Sequence, residues 1–258
     1  MSQAFNVFPW IHPRAPEELI TFFNKHGRWL RLRAGQSIFN GGDYGEVALI
    51  LSGLGAYSYS DISGEPRIFG LNFSGCLMGN IDGMTRQVVN VIDSAVRDTE
   101  VRYVSSSAFC EYLEAHPKIA TKHTLTIVHD HESDLEGAFA NYTLPLSGRL
   151  QVLCRSLYEA GAQRKEFNHD AITEDGRIYA PLPYRFTTVE FARIVAARRP
   201  SVSSILNEWK RTGILLIRDG RMYVERDFLN AIYSWHENGS NPGVHIRKSR
   251  KKVNSSSS

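Results

Sequence analysis

The sequence predicts an α+β protein in three parts: an N-terminal antiparallel β-barrel, a long helix, and a C-terminal helix-turn-helix followed by a β-hairpin wing. Three observations predict it. Short apolar segments broken by Gly and Asp recur across residues 30–105, a heptad-spaced apolar series occupies 117–146, and residues 187–224 read as two amphipathic helices and a tight hairpin.

The barrel strands are expected at Ser37-Ile38-Phe39, Val47-Ala48-Leu49-Ile50-Leu51, Ala56-Tyr57-Ser58-Tyr59, Ile68-Phe69-Gly70-Leu71, Val88-Val89-Asn90-Val91-Ile92 and Val101-Arg102-Tyr103-Val104. Strands so spaced, with turn signals between them, form an antiparallel sandwich or barrel. Residues 16–25 precede them as a short helix, opened by Pro16 and the acids Glu17 and Glu18.

At Ser107 the period changes. Residues 107–113 read as a short helix; Pro117 restarts the chain, and a long polar-apolar segment runs to Leu144, where Pro145 stops it. Within it Leu125, Val128, Glu132, Leu135, Phe139, Tyr142 and Leu146 alternate spacings of three and four, a heptad seam with one charged interruption. A helix lying on its own barrel would also carry an apolar stripe. The narrowness of this seam and the length of the helix favour a partner helix, with Leu125, Val128, Leu135, Phe139 and Tyr142 as the dimer seam. Residues 148–160 form another amphipathic helix, 161–186 a polar connection that could hold a hairpin, and 239–258 a basic and serine-rich tail expected to be disordered. The expected domains are 1–116 (barrel), 117–146 (dimerisation helix), 147–238 (winged helix-turn-helix) and 239–258 (tail).

With 258 residues, 42% hydrophobic and 22% charged, the chain can bury a real core. No apolar run reaches membrane-spanning length and the N-terminus lacks a secretory layout, so a cytoplasmic location without membrane contact is expected. Three separated cysteines, Cys76, Cys110 and Cys154, argue against a disulfide framework or a metal knuckle; buried reduced thiols are expected, with a redox-sensing thiol as the alternative. Residues 1–146 carry 11 Lys+Arg against 16 Asp+Glu, and residues 147–258 carry 19 against 11. The basic half is where a polyanion would bind.

Thr187 or Thr188 can cap the first of two helices, with Glu190 in its opening turn and Phe191, Ile194 and Val195 on one face. A turn at 197–199 leads to Pro200, favoured in a first helical turn. Val202, Ile205, Leu206 and Trp209 then give the second helix a core face. The opposite face, with Arg199, Ser201, Ser203, Ser204, Asn207, Lys210 and Arg211, suits a major groove, because Arg pairs bidentately with guanine and Ser reaches bases or phosphates. Residues 214–224 with Asp219-Gly220 make the wing. The expected DNA contacts are Thr188, Arg198, Arg199, Ser201, Ser203, Ser204, Lys210, Arg218 and Arg221.

Residues 33–39 (RAGQSIF), followed by Gly42-Asp43 and by residues 48–53 (ALILSG), resemble the opening barrel strands of the CRP/FNR family of bacterial transcription regulators. Residues 188–206 are similar to that family's helix-turn-helix, with Arg199-Pro200-Ser201-Val202-Ser203 where its recognition helix begins. The resemblance spans about residues 30–235. It implies a cyclic-nucleotide-binding-like double-stranded jelly-roll barrel and a homodimer on a pseudo-palindromic DNA site, with RNA polymerase as a candidate further partner. Arg199 would be the first base-contacting residue, and Ser204 occupies the place of a second arginine. Pro200 stands where many members carry a base-reading glutamate, which removes an acceptor for cytosine N4.

The resemblance places an effector pocket at Gly79, Asn80, Val89 and Asn90. Members that bind cyclic nucleotides have Gly-Glu for the ribose and Arg-Ser or Arg-Thr for the phosphate, since a buried phosphate needs a cation and donors around it. An apolar residue at the arginine position predicts no cyclic AMP binding; Arg86 would substitute only in a different loop register. The effector is therefore unassigned, and a regulator without any effector stays open beside one answering a non-nucleotide molecule or a redox signal. No cofactor or metal is expected. The N-terminus lacks the cysteines of the family's iron-sulfur members, and His123, His129 and His131 share no helix face at three- or four-residue spacing. Haem stays open, since His and Cys both occur. Residues 30–105 contain no histidine, and no nucleophile elbow, P-loop or dinucleotide fingerprint appears, so an enzyme is not expected.

Overall fold

The computed structural model describes residues 7–39, 45–62, 64–87 and 91–231. Val89, Asn90, Gly42, Asp43 and the 239–258 tail lie outside the described residues. Two compact units emerge, one of Val7–Leu144 with Thr187–Val202, the other of Pro145–Phe186 with residues 203–231.

In chain order the first unit contains α1 (Glu17–His26), β1 (Arg28–Leu32), β2 (Ser37–Phe39), β3 (Glu46–Ser52), β4 (Gly55–Ser60), β5 (Pro66–Asn72), β6 (Leu77–Met78), α2 (Asn80–Thr85), β7 (Ile92–Ala95), β8 (Thr99–Ser105), α3 (Ser106–Ala115) and α4 (Pro117–Thr143). The chain continues through α5 (Leu146–Ala162), β9 (Ile172–Glu174), β10 (Arg177–Pro181), α6 (Thr188–Ile194), α7 (Arg199–Arg211), β11 (Leu215–Arg218), β12 (Arg221–Glu225) and α8 (Arg226–Asn230).

Two antiparallel four-stranded sheets, ordered β1-β8-β3-β6 and β2-β7-β4-β5, build the first unit. Ile38, Phe39 and Ala95 of the second sheet share one core with Leu32, Ala48, Ile50, Met78, Val101 and Tyr103 of the first. On the other face of the first sheet, Val47, Leu49 and Val104 meet Leu19 and Phe23 of α1 and Phe109 and Leu113 of α3. Residues 47–50 are thus buried on both faces, which is why they form a continuous apolar run instead of an alternation. Among the described residues no strand pairing joins the two sheets, so closure into a barrel is not seen.

The N-terminal segment forms a strap. Trp10 N–H donates to Ser133 O on α4 (3.1 Å), its carbonyl accepts from Leu71 of β5 (2.7 Å), and His12 N–H donates to Leu71 O (3.0 Å). Two glycines permit the close approach. A Cβ on Gly70 would stand 2.3 Å from the His12 ring, and one on Gly137 of α4 would stand 2.6 Å from the Trp10 indole.

The second unit packs Leu150, Leu153, Cys154 and Leu157 of α5 inside. It has one antiparallel sheet ordered β11-β12-β10-β9, and Trp209 lies edge-on to Phe228, ring centroids 4.9 Å apart. β9 and β10 are the hairpin held open for 161–186. In the β11–β12 hairpin, Arg218 pairs with Arg221 across Asp219 (φ 49) and Gly220 (φ 74), the left-handed pair that a two-residue hairpin turn requires.

Several expected boundaries move. Of the strand expected at 88–92, residues 88–90 lie outside the described residues and β7 spans Ile92–Ala95; α5 starts at Leu146 directly after Pro145. β1, β6 and α2 are additional to the expected elements: β1 is exposed at four of its five positions and so lacks a core pattern, and β6 has two residues.

Candidate nucleic-acid interface and an acidic cavity

α6 begins with a capping box. Thr187 Oγ1 accepts from Glu190 N–H (3.2 Å) and the Glu190 carboxylate accepts from Thr187 N–H (2.6 Å), so Thr187 is the cap and Thr188 the first helical residue. Glu190 also receives the Arg97 guanidinium from the β7–β8 loop. Burial alone would raise the Glu190 pKa, but the Arg97 and Thr187 hydrogen bonds outweigh it and hold the carboxyl below its ordinary value.

α6 ends at Ile194 and α7 starts at Arg199, so the connection runs over 195–198, beginning two residues before the expected turn at 197–199 and ending one residue earlier. Val202, Leu206 and Trp209 are buried and Ile205 is half-buried. Arg198, Arg199, Ser201, Ser204 and Lys210 are exposed, while Ser203 and Thr188 are half-buried. Among the described residues the side chains of Arg198, Arg199, Lys210 and Arg221 have no ion pair; Arg211 is held by Glu208 (2.6 Å) and Arg218 meets Glu174 (3.4 Å). Unpaired, solvated cations of this kind, Arg199 and Lys210 on α7 among them, are available to phosphates or base edges.

The seam residues of α4 stand in solvent on the single chain: Leu125, Val128, Leu135 and Phe139 are about half exposed and Tyr142 is 91% exposed. A second face of α4, Ile127, Asp130, His131 and Asp134 at i, i+3, i+4 and i+7, lines a cavity of about 390 Å³. Opposite it lie His12, Tyr57, Asn72, Gly79, Asn80, Asp82 and Asp93, with Phe69, Leu77, Met78 and Ile81 as the apolar wall. Gly79 and Asn80 are therefore in this cavity. Arg86 is exposed at the end of α2 and does not line it.

Sequence reasoning missed the centre of this cavity. His12 Nδ1 donates to Asn72 Oδ1 (3.0 Å), and its Nε2 lies 2.9 Å from Asp134 Oδ1, with Asp130 3.9 Å from Nδ1. Burial would lower the His12 pKa, but the Asp134 hydrogen bond, the charges of Asp130 and Asp134 and the Asn72 hydrogen bond prevail and raise it to about 9. Burial, then the Asp82 charge, pushes Asp93 up to about 7; burial pushes Asp130 up to about 6 and raises Asp82. The Tyr57 hydroxyl is pushed up to about 12 by burial and the surrounding carboxylates. The sequence signal was the Asp130/Asp134 pair one helical turn apart beside Ile127.

Among the described residues no group of three or more His, Cys, Asp or Glu side chains is arranged to hold a metal ion. His123 is buried against Phe109 with both ring nitrogens unpartnered, and burial depresses its pKa to about 4. None of the three cysteines is in a disulfide; Cys76 donates to His12 O (3.3 Å), and burial pushes the Cys154 thiol up to about 12. No described helix is long and apolar enough to cross a membrane.

No protein-family profile matches the chain, and no curated protein matches it in sequence. Solved structures do. The c-di-GMP-responsive global regulator CLP of Xanthomonas campestris superposes with a TM-score of 0.64 at 17% identity, covering 81% of this chain and 99% of that one. FixK2 of Bradyrhizobium japonicum gives 0.63 at 14% identity, covering 83% and 98%. TTHA1359 of Thermus thermophilus, a transcriptional regulator of the CRP/FNR family, gives 0.60 at 18% identity, covering 81% and 98%. The chain has the fold of these regulators across nearly their whole length.

Proposed function

We propose that this chain is a CRP/FNR-type transcription regulator that binds a pseudo-palindromic DNA site as a homodimer. The observation that carries the reading is the exposed polar face of α7, where Arg199, Ser201, Ser204 and Lys210, with Arg198 just before the helix, stand free of acidic partners among the described residues. In this reading α6 and α7 with the hairpin are a winged helix-turn-helix, and Arg199 and the α7 serines meet base edges. Thr188, Arg198, Lys210, Arg218 and Arg221 hold phosphates. The two sheets are the halves of a jelly-roll barrel, and the parts run 1–116, 117–146, 147–238 and 239–258. The exposed apolar seam of α4 supports the dimer, and two α7 helices set about 34 Å apart would enter successive major-groove faces.

The cavity favours an effector-responsive regulator over one without an effector, because its floor is the α4 face that lies behind the dimer seam. Among the described residues its lining holds four aspartates and neither lysine nor arginine, and its charged imidazole, His12, is already held by Asp134 and Asn72, so a cyclic phosphate finds no unpaired cation there. The test is selection from a randomised duplex pool by the wild type and by Arg199→Ala. A palindrome selected only by the wild type supports the reading; absence of any selected sequence, with and without amine or nucleotide ligands, refutes it.

A further inference from the structure

The cavity of the first unit contains polar groups with nothing to bind. Asp93 is 4% exposed and Asn80 7% exposed, both line the cavity, and neither side chain has a hydrogen-bond partner among the described residues. An uncompensated buried carboxylate is costly, and a carboxamide without partners adds to that cost. Each group faces an empty volume of the size that small-molecule sites occupy.

The charge inventory fixes the sign of the occupant. The titratable groups around the volume are His12 from the strap, Tyr57 from β4, Asp82 from α2, Asp93 from β7, and Asp130, His131 and Asp134 from α4. His12 is committed to Asp134 and Asn72 and offsets one carboxylate. Asp82 and Asp93 are left to repel each other. An anion entering here would meet carboxylates; a cation with N–H donors would satisfy Asp93, Asp82 and the Asn80 carbonyl together. The wall of Phe69, Tyr57, Leu77, Met78, Ile81 and Ile127 suits an apolar body, and an aromatic face also attracts an ammonium group. A bare metal ion would use none of that wall.

We infer that this cavity is the binding site for a small organic amine, whose ammonium group is held by Asp93 and Asp82 and whose apolar body lies against Phe69 and the α4 face at Ile127. The inference deepens the effector reading of the cavity and rests on it. Binding is coupled to proton release, since Asp93 must lose its proton to serve an ammonium group, while an alkylamine stays charged to about pH 10.

Titration calorimetry on the full chain tests this with phenethylamine as probe. Its anionic counterpart phenylacetate, cyclic AMP and manganese chloride are the comparisons. The expected result is saturable phenethylamine binding that tightens between about pH 5.5 and about pH 8, with no binding of phenylacetate or cyclic AMP. Asp93→Asn, which keeps shape and removes charge, should weaken the amine about tenfold or more. If that variant does not fold, Asp82→Asn should weaken it in the same direction. Absence of amine binding, equal or tighter binding of either anion, binding of manganese alone, or amine affinity unchanged in the folded variants overturns the inference. DNA selection by the same preparations separates the failures: selection without amine binding removes the ligand assignment, while loss of selection under every condition removes the regulator reading.

Discussion

His12 Nε2 sits 2.9 Å from Asp134 Oδ1 across 122 residues of sequence, tying the N-terminal strap to the middle of the long helix. The His12 pKa is raised from 6.5 to about 9, so the stability it contributes is fully present below pH 6.5 and is lost as pH rises through about 9. Thermal unfolding of the wild type should lose on the order of 2 kcal/mol between about pH 7.5 and about pH 9.5 from this pair, and Asp134→Asn should flatten that limb. Parallel curves for the two proteins would mean the pair contributes nothing.

His123 titrates the other way. Its folded pKa near 4 lies below the unfolded 6.5, so the unfolded chain binds more protons between those values and stability falls as pH drops through that window. His123→Leu removes two unpartnered ring nitrogens from beside Phe109. It should stabilise the protein by about 1 kcal/mol at neutral pH and by more at about pH 5. A gain that does not grow on acidification would contradict the assigned titration.

Close approach of backbone and ring makes Gly137 and Gly70 irreplaceable for different reasons. Gly137→Ala drives a methyl into the Trp10 indole and should cost about 1–3 kcal/mol in chemical denaturation. Gly70→Ala displaces the His12 imidazole, so it should also flatten the alkaline limb of the stability curve. That second effect separates loss of the ion pair from simple overpacking.

On DNA, Arg199→Ala should cost about 1–3 kcal/mol and relax preference at one position of each half-site. Lys210→Ala should weaken all sequences alike and reduce the salt slope by about 1 per half-site. Equal effects of both variants on every sequence would place Arg199 on phosphate.

The apolar seam supplies a further measurement. Leu135→Glu puts a charge where a 54% exposed leucine stands, and sedimentation should then report a monomer with unchanged secondary structure. A wild type that is already monomeric at micromolar concentration would end the dimer reading.

What the sequence revealed is what repeats or caps. The apolar runs at 47–51 and 101–104, the Pro117–Pro145 brackets around α4 and the Thr187/Glu190 box each carry a local signal, and each element formed. The cavity has no such period. His12, Tyr57, Asp93 and Asp134 come from four elements, and only the antiparallel pairing of β4 with β5 and β7, with the strap laid along β5, brings them together. The histidines of α4 drew attention to one another, whereas the histidine that matters comes from the N-terminus and meets the aspartates of α4. Two-residue β6 and exposed β1 leave no pattern to read.

Glu190 closes the α6 capping box and also holds Arg97. The two roles make substitutions at these residues unequal. Without Arg97 the helix start keeps its Thr187 cap, whereas without Glu190 the Thr187 amide loses its side-chain acceptor and the Arg97 guanidinium loses its carboxylate, keeping the Val96 carbonyl (2.8 Å). Changing Arg97 in a protein that already lacks Glu190 should therefore do little further harm, an asymmetric epistasis that makes this carboxylate, and not its cationic partner, the position least free to vary.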